Sequence, residues 1–213
     1  MACNCCEVTD QAFTESDARA DIKAYRRHGP ARHTRLILDA VRSLGLKDAT
    51  LLDIGGGVGA IHHELLEDIA RRATHVDASS AYLAEARVEA ARRGHAERVD
   101  FIHADFTDVA AEVPSVDIVT LDRVVCCYPD FRGLLRAAAG HSQRGLALTY
   151  PRETWYMKLF FMGANLFQRI SRSEFRVFLH PVAEMDSLLE QEGFERISVR
   201  RLLVWEAVLY QRV

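Results

Sequence analysis

The residues able to do chemistry fall at regular intervals along the first two thirds of the chain. Asp53-Ile54-Gly55-Gly56-Gly57-Val58-Gly59 joins a carboxylate to alternating glycines at Gly55, Gly57 and Gly59. Glycine lets a backbone bend sharply and approach a ligand with no Cβ in the way. A helix starting near Gly59 would add free N–H groups and the positive end of its dipole. Asp77 with Ala78, and Asp105 with Phe106, close two further apolar runs. A carboxylate placed like Asp77 can accept both hydroxyls of a ribose, as does the acid about 20 residues beyond a dinucleotide loop. Each acid alone reads equally well as a helix cap or a solvated strand end; in phase, they mark a nucleotide-like ligand. A fourth apolar run ends in Asp122-Arg123-Val124-Val125-Cys126-Cys127-Tyr128-Pro129. Tyr128 can orient or deprotonate a bound group, and Cys127 or Cys126 can line its pocket. The commonest role of such cysteines is that of a small buried apolar side chain.

Such residues meet only if strand ends are brought together. Thr14 and Asp17 form a cap signature for a helix running to about His28, broken by Gly29-Pro30, and Leu36, Ile37, Ala40, Val41 and Leu44 give a second helical spacing. Thr50–Ile54, His75–Ala78, Val99–His103, Asp117–Leu121 and Leu146–Tyr150 read as strands. Between them, 59–71, Tyr82–Arg93 and Phe131–Ala139 read as helices, so right-handed crossovers and a mostly parallel sheet follow. Trp155–Ile170 and Val182–Gln191 are helical, and Phe194–Arg201 with Leu203–Gln211 forms a terminal antiparallel hairpin. Residues 1–13 lack periodicity and read as a mobile or loosely docked terminus. The predicted class is therefore α/β: a Rossmann-like, seven-stranded, mostly parallel sheet with a C-terminal antiparallel hairpin and helices on both faces. The predicted division is an N-terminal tail and lid helix, 1–31, and one domain, 32–213, with an insertion at 152–181.

The chain has 213 residues, 49% of them hydrophobic, and a net charge of −3, which provides no strongly basic field for nucleic acid. No apolar run is long enough to span a bilayer and no secretion signal is visible, so a cytoplasmic protein is expected. Five cysteines, an odd number, argue for reduced thiols rather than a disulfide framework.

The spacing Gly55-x-Gly57-x-Gly59 after Asp53 differs from the dinucleotide form G-x-G-x-x-G. With Asp77, Asp105 and the terminal hairpin, it resembles class I methyltransferases, which use S-adenosylmethionine (SAM), over about residues 32–213. That resemblance implies a loop wrapping the amino-acid part and ribose of SAM, with Asp77 on the ribose hydroxyls. It also places Asp105 on the adenine amino group and Phe106 beside the base. Asp53, Gly55, Gly57, Gly59, Ala78 and Asp122 complete the expected cofactor contacts, and S-adenosylhomocysteine is the implied product. Methyl transfer by SN2 displacement needs an acceptor aligned with the sulfonium methyl, and a base only if the acceptor arrives protonated.

Thr149-Tyr150-Pro151-Arg152-Glu153-Thr154, the apolar helix after it, Ser171-Arg172-Ser173-Glu174 and His180-Pro181-Val182 resemble magnesium-protoporphyrin O-methyltransferases. There the insertion after the fifth strand helps cover a large flat acceptor. The chain departs from that family at Cys127, where a histidine is expected, so only the architecture carries over. Tyr25, Arg26, Tyr150, Arg152 and Trp155 are the expected acceptor contacts, with Tyr128 and Cys127 nearest the chemistry. The aromatic stripe on 155–170 reads as core or a homodimer face or, in the favoured reading, a lid over a flat or apolar small molecule; for a membrane-touching helix Lys158 and Arg169 are too few to make a strongly basic polar face. Cys3-x-Cys5-Cys6 leaves a rival open: thiolates suit zinc, copper(I) or arsenite. The rival is a metal or metalloid sensor without catalysis, or a metalloid methyltransferase; no structural metal site is expected, because separated ligand pairs are absent.

Overall fold

The computed structural model describes residues 5–171 and 174–213. Three helices lead in: α1 (Cys5–Ala12), α2 (Glu15–His28) and α3 (Arg32–Arg42). Alternation follows through β1 (Ala49–Ile54), α4 (Ala60–Leu65), β2 (Ala70–Asp77), α5 (Ser80–Arg93), β3 (Val99–His103) and the single turn α6 (Phe106–Val109). It continues with β4 (Val116–Asp122), α7 (Phe131–His141), β5 (Ser142–Pro151), α8 (Trp155–Ile170), α9 (Val182–Gln191), β6 (Phe194–Arg201) and β7 (Trp205–Arg212). The seven strands form one sheet in the order β3-β2-β1-β4-β5-β7-β6. β1 pairs in parallel with β2 and β4, whereas β7 runs antiparallel to β5 and β6. The predicted class stands.

Successive side chains of a strand point to opposite faces, and here each face has its own core. Leu52, Val119, Val208 and Tyr210 pack with Leu134 and Leu135 of α7 and Leu188 and Leu189 of α9. Their neighbours Leu51, Ile118 and Leu209 point the other way, against Ile37, Leu38 and Val41 of α3 and Ile61 and Leu65 of α4. Strands buried on both faces need such unbroken apolar runs. The same alternation leaves only the strand ends free for polar chemistry.

Two expectations fail locally. The helix predicted over 59–71 ends at Leu65, because Ala70 already pairs with Ala49 and sheet pairing claims the segment. Ile69 keeps its place in the core through a turn, its N–H donating to the Leu65 carbonyl at 2.8 Å. Within the N-terminal segment α1 is a helix, and its later part is held in place: Asp10 accepts from the Ser80 N–H at 2.7 Å and its hydroxyl at 2.8 Å. Phe13 meets Tyr82 and Phe175 edge to face. α2 begins as predicted, with a reciprocal capping box between Thr14 and Asp17. Among the described residues, no helix is long and apolar enough to cross a membrane.

Candidate active site

The carboxyl ends of β1, β2, β3 and β4 open into a cavity of about 600 Å³, a size typical of small-molecule sites. β1 delivers the glycine turn to its floor. Gly55 has φ +61, and a Cβ there would lie 2.5 Å from a Val124 methyl, so the loop and the end of β4 can approach only through glycine. The Gly57 N–H donates to Asp77 Oδ2 at 2.8 Å and the Ser79 N–H to Oδ1 at 2.8 Å. Asp77 is thus held rigidly on the cavity wall, with lone pairs left for a ligand.

Two residues beyond β3, Asp105 caps α6 by accepting from the Thr107 N–H at 2.9 Å. The Tyr128 hydroxyl lies 3.0 Å from both Asp105 carboxylate oxygens and 2.6 Å from Thr107 Oγ1. Burial raises the Tyr128 pKa, with the Asp105 charge adding to it, so this phenol stays protonated at neutral pH.

β4 ends at Asp122, whose carboxylate accepts from the Thr34 hydroxyl at 2.7 Å and from the Thr149 hydroxyl. The next residue, Arg123, has φ +63, an uncommon backbone for a side-chain-bearing residue. Thr149 holds it there, its Oγ1 accepting from the Arg123 N–H at 2.9 Å. Cys126 and Cys127 have their sulfurs 3.8 Å apart, and both thiols donate to the Arg123 carbonyl. The bond with Cys126 lowers the Cys127 pKa, burial opposes this and Arg123 lowers it again; Cys126 is pushed up by the same bond and by burial.

The opposite wall is apolar. Met157, Phe160, Phe161 and Ala164 of α8 face the cavity with Val177 and Trp205. The cavity therefore has a polar half made by strand ends and an apolar half made by α8 and the terminal hairpin.

Residues 51–145 match the family described as a methyltransferase domain. The chain carries a class I SAM-dependent methyltransferase domain. No curated protein matches the sequence of this methyltransferase. Among solved structures, magnesium protoporphyrin IX methyltransferase from Synechocystis PCC 6803 with bound SAH is similar at TM-score 0.75 and 16% identity, covering 99% of this chain and 100% of that one. An O-methyltransferase family protein from Burkholderia thailandensis has TM-score 0.67 and 18% identity over 94% of this chain and 63% of that one. The [4+2]-cyclase SpnF has TM-score 0.65 and 16% identity, covering 85% and 80%. At these identities the likeness concerns the fold.

Of the residues singled out from the sequence, Gly55, Gly57, Asp77, Ala78, Asp105, Phe106, Asp122, Cys127 and Tyr128 line this same cavity. Others lie elsewhere. Asp53 is wholly buried beneath the loop, accepting from Thr120 Oγ1 at 2.8 Å with His62 Nδ1 at 3.1 Å. Gly59 covers His62: a Cβ there would lie 2.4 Å from the imidazole. Tyr25 donates to Glu64 at 2.8 Å beneath the Arg93 guanidinium. Arg26 binds the buried Glu89 at 2.8 Å, where burial alone would raise the carboxyl but Arg92, Arg26 and Arg93 hold it at about 2. Tyr150 is in the core, Arg152 reaches the Leu202 carbonyl at 3.4 Å, and Trp155 points into solvent.

The sequence reading passed over Asp21, Arg123, Met157, Phe161 and Trp205. Asp21 lies one turn before Tyr25 on α2, lines the cavity and accepts from the Tyr82 hydroxyl at 2.8 Å. Helical phase over the apolar stripe could have located Met157 and Phe161, which are one turn apart and both buried. Nothing local marks Arg123, since its backbone geometry is imposed by Thr149 on β5. Among the described residues, no three His, Cys, Asp or Glu side chains are arranged to hold a metal ion. Cys3 and the side chains of Cys5 and Cys6 lie outside what is described.

Proposed function

We propose that this cavity binds SAM along the strand ends and transfers its methyl to a small or medium-sized apolar acceptor held beneath α8. The observation that carries the reading is Asp77, fixed by the Gly57 and Ser79 N–H groups with free lone pairs toward the cavity. In this reading Gly55 and Gly57 receive the methionine part, Asp77 the ribose hydroxyls, and Asp105 with Phe106 and Ala78 the adenine. Asp53 and Gly59 support the loop from below. SAM, when bound, supplies an electrophilic methyl on sulfur, and the acceptor's O, N or S attacks it in line.

The chain then contributes position more than proton transfer. Tyr128 is held on the Asp105 side and stays protonated, so it orients rather than deprotonates. Cys127 sits between the two halves of the cavity and shapes the approach to the methyl. Met157, Phe161 and Trp205 exclude water and hold an apolar acceptor by surface burial, at about 25 cal/mol per Å². α1 and α2 act as a cover over the donor side and α8 as one over the acceptor side.

Titration calorimetry with SAM and S-adenosylhomocysteine tests the donor site. Asp77→Ala removes two charge-assisted hydrogen bonds and should weaken both ligands about a hundredfold. Unchanged affinity would mean that the ribose contact is misplaced, and no binding to the intact chain would remove the methyltransferase reading of this cavity. A second reading, capture of a thiophilic metalloid by Cys127, draws on its cavity-facing position 3.8 Å from Cys126. Cys127→Ser then abolishes methylation of arsenite, while an apolar acceptor is still turned over.

A further inference from the structure

α8 has two faces, and the methyltransferase cavity uses only one. Met157 and Phe161 turn inward, and Asn165 fixes the helix by exchanging hydrogen bonds with Val177, at 2.8 and 3.0 Å. The outer face presents Trp155, Leu159, Met162, Leu166, Phe167 and Ile170, each between 54% and 74% exposed. At 100° per residue these side chains spread over nearly half the helix circumference, wider than the seam of a two-helix pair. Leu203, 77% exposed, extends the patch, because the Tyr156 hydroxyl ties the start of α8 to the Leu203 carbonyl at 2.7 Å.

The charge on α8 itself has one sign. Lys158 and Arg169 are the only charged residues between 155 and 171, and Arg200 and Arg201 lead into the turn at Leu203. Acids meet some of these from below: Glu153 lies 3.3 Å from Lys158, Asp39 3.8 Å from Arg200 and Glu206 2.6 Å from Arg201. None stands on the apolar face itself, although the whole chain carries −3. A helix of this length spans about 24 Å and is too short to cross a bilayer. A helix with a broad exposed aromatic face bordered by Lys158 and Arg169 suits the boundary between lipid headgroups and acyl chains. Two copies paired through this face would instead bring Lys158 and Arg169 of each toward the other, with no acid on either helix.

We propose that the outer face of α8 and the turn at Leu203 dock this protein onto an anionic lipid surface. The apolar half of the cavity then lies directly behind the docked helix, on the side from which an apolar acceptor would leave the lipid.

Flotation of the full chain with vesicles tests this, comparing phosphatidylcholine containing phosphatidylglycerol with phosphatidylcholine alone. The chain should float with the anionic vesicles and the Trp155 emission should shift to the blue. Lys158→Gln with Arg169→Gln should weaken the association about twenty-five-fold, at about fivefold per basic residue near an anionic surface. Leu159→Glu with Leu166→Glu should abolish it while leaving SAM affinity and melting temperature unchanged, since neither side chain lines the cavity. A chain that stays unbound with both vesicle types overturns the proposal. So does a solution dimer that the same glutamates dissociate without any vesicle binding, which assigns the face to a second copy. Equal flotation with neutral vesicles overturns the electrostatic part.

Discussion

Lowering the pH should destabilise this protein through a stack of histidines beneath the glycine loop. His62, His63 and His75 are fully buried, and His95 nearly so. The His62 ring centre lies 4.3 Å from that of His63 and 4.9 Å from that of His75. Burial and neighbouring positive charge both oppose protonation, holding His63 at about 2 and His62 well below 6.5. In the unfolded chain both return to about 6.5. The sign follows: above that value neither state is protonated and nothing is lost. Below it, the unfolded state binds protons that the folded state refuses, and stability falls with pH.

Each group contributes about 1.4 kcal/mol per pH unit, so the pair costs about 4 kcal/mol between pH 6.5 and about pH 5. Asp53, raised by its complete burial, works in the opposite direction once it begins to take up a proton. The loss is a large share of the 5–15 kcal/mol typical of a domain. Urea unfolding at about pH 7.5 and pH 5 measures it, and at 1–3 kcal/mol per molar the midpoint should drop by about 2 M. His63→Leu removes one of the two groups and should halve the slope. A midpoint that stays level down to about pH 5, or a slope unchanged in His63→Leu, would refute the assignment of these histidines as buried and neutral.

Three other substitutions separate support of the site from its chemistry. Gly59→Ala should cost about 3 kcal/mol by thermal unfolding, since the left-handed backbone costs 1–2 and the new Cβ meets His62 at 2.4 Å. Gly94→Ala, at φ +73 with nothing within 4 Å, should cost only about 1–2 kcal/mol and serves as the control. Tyr128→Phe should leave the pH profile of methyl transfer unmoved and change kcat by less than about tenfold. Loss of the basic limb of that profile would make Tyr128 a general acid–base group after all.

Much of this architecture is legible from the residues because the sheet is buried on both faces. Leu51 and Leu52, or Ile118 and Val119, face opposite cores, so the apolar runs had to be strands between helices. Gly55, Gly57, Asp77 and Asp105 are legible for the related reason that strand ends are the only places where such a sheet can turn polar. Tyr25 and Arg26 are not, because their place near the end of α2 does not say what that part of the helix meets. They meet Glu64 and Glu89, while Asp21, one turn earlier, reaches the cavity. The end of α4 is equally non-local: pairing of Ala70 with Ala49 cuts short a pattern that is helical by its spacing alone.

The acceptor half of the cavity shows why the donor is easier to read than the acceptor. The proposed donor contacts come from the backbone and carboxylates at the carboxyl ends of β1, β2 and β3, and each follows directly on an apolar run. The rest of the cavity lining comes from Met157 and Phe161 on α8, Trp205 on β7 and Arg123 on a backbone held by Thr149, which are distant in sequence. The apolar residues among them carry no chemistry that distinguishes a pocket wall from a core. What does distinguish them is that α8 is apolar on both sides while only one side is covered. A helix that served packing alone would bury its aromatic face; this one turns Met157 and Phe161 to the cavity and leaves Trp155, Leu166 and Phe167 in solvent. The stripe is therefore two surfaces, and an acceptor that is itself apolar is the ligand that could use both, partitioning against one before it is buried by the other.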